Sequence, residues 1–150
     1  MNCFFDTPFD GNDMTYGGLI RPALMDALKD KILDRIVTQR KYRDKNYSAK
    51  QLAKDLGTNS RYISAVVNSK FQMNYTSLVN KYRIEEALTI LSNPKYSSLS
   101  MKTVSDMVGF MNRQSFYSAF RRVADVSPLQ YRRLHMFDND KLNANNKTTE

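Results

Sequence analysis

A chain of 150 residues with 23 lysines and arginines against 15 aspartates and glutamates carries a formal charge of +8 and has a pI near 9.6. That balance favours polyanionic partners, and the length suffices for one domain, or two small subdomains, with a true core. The lone cysteine, Cys3, and lone histidine, His135, exclude an intrachain disulfide and a Cys/His-rich zinc site, which suits a reducing cytoplasm.

Residues 1–21 read as an irregular segment, because Asp, Pro and Gly interrupt the aromatics of MNCFFDTPFDGNDMTYGG and no basic n-region precedes them. The segment fits neither a signal peptide nor a membrane span. Cys3 within it has no activating neighbour and reads as a plain thiol. Residues 22–45 form an N-terminal helix, expected over about 23–43. Pro22 suits its first turn, and Leu24, Leu28, Ile32, Leu33, Ile36 and Val37 recur at three- and four-residue steps.

In SAKQLAKDLG, Ser48 and Gln51 have capping-box spacing, Leu52 and Leu56 form a stripe, and Gly57 ends a short helix over about 49–56. Thr58 and Asn59 can cap a second helix, about 60–69, that buries Ile63, Val66 and Val67. Two short helices joined by a glycine-containing turn make a helix-turn-helix candidate. A long helix over about 75–91 follows, with Leu78, Val79, Tyr82, Ala87, Leu88 and Leu91 on one face, and stops at Asn93-Pro94.

The pattern then repeats. SMKTVSDMVG, from Ser100 to Gly109, echoes SAKQLAKDLG at an offset of 52 residues, with Val104 and Val108 in the places of Leu52 and Leu56. Phe116, Phe120 and Val123 give the following helix, about 113–124, its buried stripe. The step from glycine to first core residue is seven here against six before, so the second turn holds one extra residue, which an Asn112 cap accommodates. Ser127-Pro128 opens a last helix over about 128–136 bearing Leu129, Tyr131 and Leu134. The polar, Asn-rich residues 137–150 read as a disordered tail.

These residues carry a family resemblance. The segment 46–136 resembles the C-terminal DNA-binding domain of AraC/XylS-type bacterial transcription regulators, through Gly109-Phe110, Phe116, Phe120 with Arg121-Arg122, Ser127-Pro128 and Tyr131-Arg132. Leu52-Ala53, Asn59, Tyr62, the stretch NKYR from Asn80 to Arg83, and Ala87 extend it through the first half. The resemblance implies an all-α fold of about seven helices, with two helix-turn-helix subdomains bridged by the long central helix and one recognition helix from each in the major groove. Four positions depart from the family pattern. Asp125 and Gln72 stand where glycine is common, Ser118 where arginine is frequent, and Ala65 is small at the corresponding place of the first recognition helix.

Helical geometry assigns the outer faces. Burying Ile63 and Val67 turns Arg61, Ser64, Ala65 and Asn68 outward, and burying Phe116 and Phe120 exposes Arg113, Gln114, Tyr117 and Ser118. Arginine can donate twice to guanine and glutamine can pair with adenine, so these eight are the candidate base contacts, with Arg61, Arg113 and Gln114 foremost at the helix starts. Lys50, Lys70, Lys102, Arg121 and Arg122 are candidate phosphate contacts, joined by Ser48, Ser60, Ser100 and Asn112 at helix starts, where backbone N–H groups are open. Arg122 and Arg132 divide evenly between phosphate contact and surface ion pairing. Tyr82 and Arg83 read as packing and bridging residues.

The expected function is sequence-specific regulation of transcription on double-stranded DNA, with RNA polymerase as the further partner the resemblance implies. The alternative is an adaptor or anti-regulator that uses the same scaffold to bind protein. No nucleophile–base pair, metal-ligand cluster or phosphate-cradling glycine loop supports an enzyme or a cofactor. The first 45 residues leave no room for a sensory domain, so no small-molecule effector is expected.

Overall fold

A computed structural model describes residues 21–145, with side chains through Met136, and every regular element among them is helical. Among the described residues no helix is long and apolar enough to cross a membrane. The expectations for residues 1–20, including Cys3, lie outside the described residues, as do those for 146–150. The chain divides into two compact units: residues up to Lys41 with Asn46–Val79, and Tyr42–Lys45 with Asn80 onward.

In the first unit, α1 (Pro22–Leu33) starts on Pro22 and widens into a π-helical turn over Asp34–Thr38. Leu28, Ile32 and Ile36 are buried. The helix ends short of the expected residue 43, because Arg40 adopts a left-handed φ of 53° and Lys41–Arg43 form a separate 3-10 turn that buries Tyr42. Next come α2 (Ala49–Asp55) and α3 (Ser60–Phe71). Leu52, Ala53, Ile63, Val66 and Val67 seal this core, while Leu56 is only half-buried. Tyr47 fixes the entry to α2. Its hydroxyl donates to Asp55 Oδ2 at 2.7 Å, and its carbonyl accepts from the Tyr75 hydroxyl at 2.8 Å. Burial pushes the Tyr47 phenol well above its usual range, so the ring stays a neutral donor.

The long helix α4 (Tyr75–Ser92) runs from the first unit into the second. Asn74 caps its start by accepting from the Ser77 amide at 2.8 Å, and Asn93-Pro94 ends it as expected. A single apolar face does not describe it. Leu78, Val79, Ala87 and Leu91 are buried, Tyr82 and Leu88 are half-buried, and Ile84 and Ile90, off the expected stripe, are fully or nearly fully buried. The buried side rotates along this helix, so one stripe drawn through all five turns misses two of its six buried residues.

The second unit adds α5 (Met101–Met107), α6 (Arg113–Ala124) and α7 (Pro128–Asn145). Its core is aromatic: Phe110 and Phe116 lie 5.4 Å apart, Phe116 and Phe120 5.7 Å, and Phe120 and Tyr131 5.6 Å, all tilted or edge-on as ring quadrupoles favour. Val123 does not join them. It is 50% exposed, while Ala119 is buried and Ala124, the next residue, packs against the core in its stead. At α7, Ser127 Oγ accepts from the Gln130 amide while Gln130 Oε1 accepts from the Ser127 amide, a reciprocal capping box on Pro128. The helical backbone continues through Asn145, beyond the expected end at 136 and into the segment read as disordered. Nothing from 129 to 145 is proline or glycine, so no residue stops the helix.

Candidate nucleic-acid interface

The two helix-turn-helix units use the same local chemistry. Ser48 Oγ accepts from the Gln51 amide at 3.2 Å, and Ser100 Oγ from the Thr103 amide at 3.0 Å, so each first helix has a serine cap. Each then ends in a Schellman turn. In the first, Thr58 N donates to Ala53 O at 2.9 Å around Gly57, with φ 64°; in the second, Phe110 N donates to Ser105 O at 3.0 Å around Gly109, with φ 96°. Asparagine starts each second helix. Asn59 Oδ1 accepts from the Tyr62 amide at 3.0 Å and Asn112 Oδ1 from the Ser115 amide at 2.8 Å. The expected extra residue is present, since 56–59 separate the helices of the first pair and 108–112 those of the second.

Both second helices are twelve residues long and both end on a left-handed residue that is not glycine: Gln72 at φ 56° and Asp125 at φ 59°. The two departures from the family's glycines therefore keep the glycine-like backbone. The geometry survives at the cost of strain, which Asp bears better than Gln because its short side chain tolerates this region.

On α3, Ser60, Arg61, Ser64, Asn68 and Lys70 are exposed, and Ala65 is half-buried. On α6, Arg113, Gln114, Ser118, Arg121 and Arg122 are exposed, and Gln114, Tyr117, Ser118, Arg121 and Arg122 line an open depression on the helix surface. Tyr117 is only half outward: its ring meets Phe116 edge-on at 5.8 Å and packs on the aromatic core. Ser48, Ser100 and Asn112 are exposed but already spend a side-chain oxygen on capping.

The cations fall into two groups. Lys70 Nζ meets Asp26 Oδ1 of α1 at 2.6 Å, and Lys102 Nζ meets Asp106 Oδ2 at 2.8 Å. Lys45 Nζ approaches the other oxygen of Asp106 at 2.7 Å, and with the two ammonium groups beside it that carboxyl is held down to about 2. Lys50, Arg61, Arg113, Arg121 and Arg122 form no ion pair among the described residues. Lys102 and Asp106 were readable as an i, i+4 pair; Asp26 and Lys45 reach their partners through the fold and left no local signal.

Three arginines prove to hold the fold. Arg83 donates from Nε to Tyr42 O at 2.6 Å and from an Nη to Asp44 O at 3.1 Å, and its guanidinium stands 5.4 Å over the Phe110 ring. Arg43, which lies between those two carbonyls in the strap Tyr42–Lys45, forms a two-point pair with Glu86. Arg132, undecided from sequence between phosphate contact and ion pairing, forms no ion pair among the described residues: it donates to Leu99 O at 2.7 Å, and to Ser97 O, fixing the loop that leads into α5. Burial without a carboxylate lowers its pKa.

Residues 52–134 match the family model described as a helix-turn-helix domain, the AraC-type form. No curated protein sequence matches the chain. Among solved structures, the C-terminal domain of the two-component response regulator yesN from Fusobacterium nucleatum is similar at 23% identity and a TM-score of 0.60, over 69% of this chain and 98% of that one. The C-terminal domain of AraT, a response regulator from Geobacillus stearothermophilus, matches at 23% identity and 0.59, over 76% and 86%. A transcriptional regulator with an AraC-type DNA-binding domain from Chromobacterium violaceum matches at 17% and 0.60, over 73% and 96%. At these identities the structural likeness establishes the fold.

Proposed function

The chain belongs to the AraC/XylS-type helix-turn-helix family of DNA-binding transcription regulators, and from that premise we propose that it selects specific sequences in double-stranded DNA with both recognition helices. The observation that carries the proposal is the duplicated Asn-capped helix, α3 and α6, each with a buried inner face and a polar outer face bearing arginine with no carboxylate partner among the described residues. Arg61, Ser64, Ala65 and Asn68 face bases from α3, and Arg113, Gln114 and Ser118, with Tyr117, from α6. Placed in major-groove segments about one turn apart, roughly 34 Å, such readers need no palindromic site.

Phosphates are held by a graded set. Lys50, Arg121 and Arg122 come first, because a phosphate there displaces no carboxylate. Lys70 and Lys102 must first release Asp26 and Asp106. Ser48, Ser60, Ser100 and Asn112 place hydroxyl, amide and backbone donors beside them. RNA polymerase is the further partner we infer, with no small-molecule effector.

The test is a salt titration of the protein on a random-sequence duplex pool and on the duplexes enriched from it. The expected outcome is a steep loss of affinity with salt and a preference of at least about 10³ for enriched duplexes. Arg113→Ala and Gln114→Ala should each relax the preference at one end of the site by about 1–3 kcal/mol. Equal, weak binding to every duplex would overturn the proposal in favour of the adaptor reading.

A further inference from the structure

We propose that Tyr117 is a positioning residue that sets the specificity of Arg113; the inference rests on the DNA-reading function above and assigns one of its contacts a different role. Arg113 is the first residue of α6, where the unpaired amides give the helix end a partial positive charge and no acidic residue lies in the first turn. A guanidinium there is repelled by its own helix. One turn on, the Tyr117 ring lies beneath it: the guanidinium carbon is 4.9 Å from the ring centroid, and an Nη donates to the phenol oxygen at 3.3 Å. The ring is itself fixed from below, edge-on to Phe116 at 5.8 Å, and Phe116 is fully buried.

The pairing differs in kind from those of Lys70 and Lys102. A carboxylate positions a cation by neutralising it, so the pair must break before DNA is bound. A tyrosine ring positions Arg113 and leaves its whole charge, and most of its donors, for a guanine edge. Immobilising the long side chain beforehand lowers the ordering cost of the contact. Arg61 of α3 has no such support, since the residue four positions on is Ala65. Tyr117 therefore acts through Arg113, and its own contact with a base is not what its substitution removes.

The test uses the full chain, its Arg113→Ala, Tyr117→Leu and Tyr117→Phe variants, and the double variant of Arg113→Ala with Tyr117→Leu. Sequencing of duplexes enriched from a random pool reads preference base by base. NMR of the free protein reads the ring-current shift of the Arg113 side chain, and circular dichroism checks the fold. Arg113→Ala should abolish preference at its base position, by about tenfold. Tyr117→Leu should weaken the same position by about threefold and no other, and should remove the ring-current shift. Tyr117→Phe, which keeps the ring, should retain the shift and most of the preference. The double variant should be no worse than Arg113→Ala alone. Losses that add, or a Tyr117→Leu effect at a different base, would overturn the inference and leave the DNA-reading function standing. A parent protein with no preference at all would overturn both.

Discussion

The two Schellman turns are closed by the same hydrogen bonds yet stand in different surroundings. Around Gly57 there is open space, with no atom within 4 Å of where a Cβ would stand. At Gly109 that Cβ would press on the carbonyls of Tyr42 and Arg43, 2.7 Å from the Tyr42 oxygen. The first glycine answers only to its own backbone angle, whereas the second also admits a strap, Tyr42–Lys45, from earlier in the chain. Equal local geometry thus hides unequal tertiary demand.

The largest effect should come from testing that inequality directly. Gly57→Ala carries only the left-handed penalty, about 1 kcal/mol. Gly109→Ala adds backbone displacement and should cost about 3 kcal/mol or more. Urea unfolding of both variants measures the difference, and equal losses would break the comparison. Arg83→Met follows in size. It keeps the stem over Phe110 but removes the charged donors to the Tyr42 and Asp44 carbonyls, an expected loss of about 2 kcal/mol. Combined with Gly109→Ala it should cost less than the sum, since both changes release the same strap. Strict additivity would mean that Arg83 and Gly109 do not share it.

Smaller effects, of opposite sign, are expected where α3 and α6 end. Gln72→Gly should stabilise the chain by about 0.5–1 kcal/mol by removing left-handed strain. Asp125→Gly should gain less, because Asp already tolerates that region. A larger gain at Asp125 than at Gln72, in thermal unfolding, would contradict that ranking.

What could be read from the sequence follows from the same contrast. Caps, glycine turns and the stripes Ile63/Val66/Val67 and Phe116/Phe120 depend on residues within a turn or two of one another, and sequence order exposes them. The strap does not, because Arg83 lies 41 residues from Tyr42 and no periodicity links them. Val123 failed for a related reason: helical phase says which way a side chain points, but not whether anything lies there to cover it. The outer faces of α3 and α6 were largely legible, yet the sorting of their cations into paired and open was not. Asp26 pairs with Lys70 across 44 positions of sequence, from Asp26 to Lys70. Arg132 was unreadable on the same ground, since its partners are backbone carbonyls of a distant loop.

The smallest expected effect concerns Asp106, which joins Lys102 on its own helix to Lys45 of the strap. Hydrogen bonds from the two ammonium groups hold its folded pKa at about 2, against 3.8 for the free side chain. A depressed carboxylate stabilises the fold above its unfolded pKa, and that contribution fades as pH falls from about 4 to about 2. The group is exposed, so solvent and salt screen the pair and the effect should be modest. Stability of the parent should therefore fall across this window more than that of Asp106→Asn, most visibly at low ionic strength. Lys102→Met should remove only part of the difference, since Lys45 still faces the carboxylate. No equivalent pair should be found by the same titration at Lys50, the counterpart of Lys102 in the first unit, because the residue four positions on is Lys54. Parallel acid unfolding curves for the parent and Asp106→Asn would show that the strap is held by Arg83 and Arg43 alone.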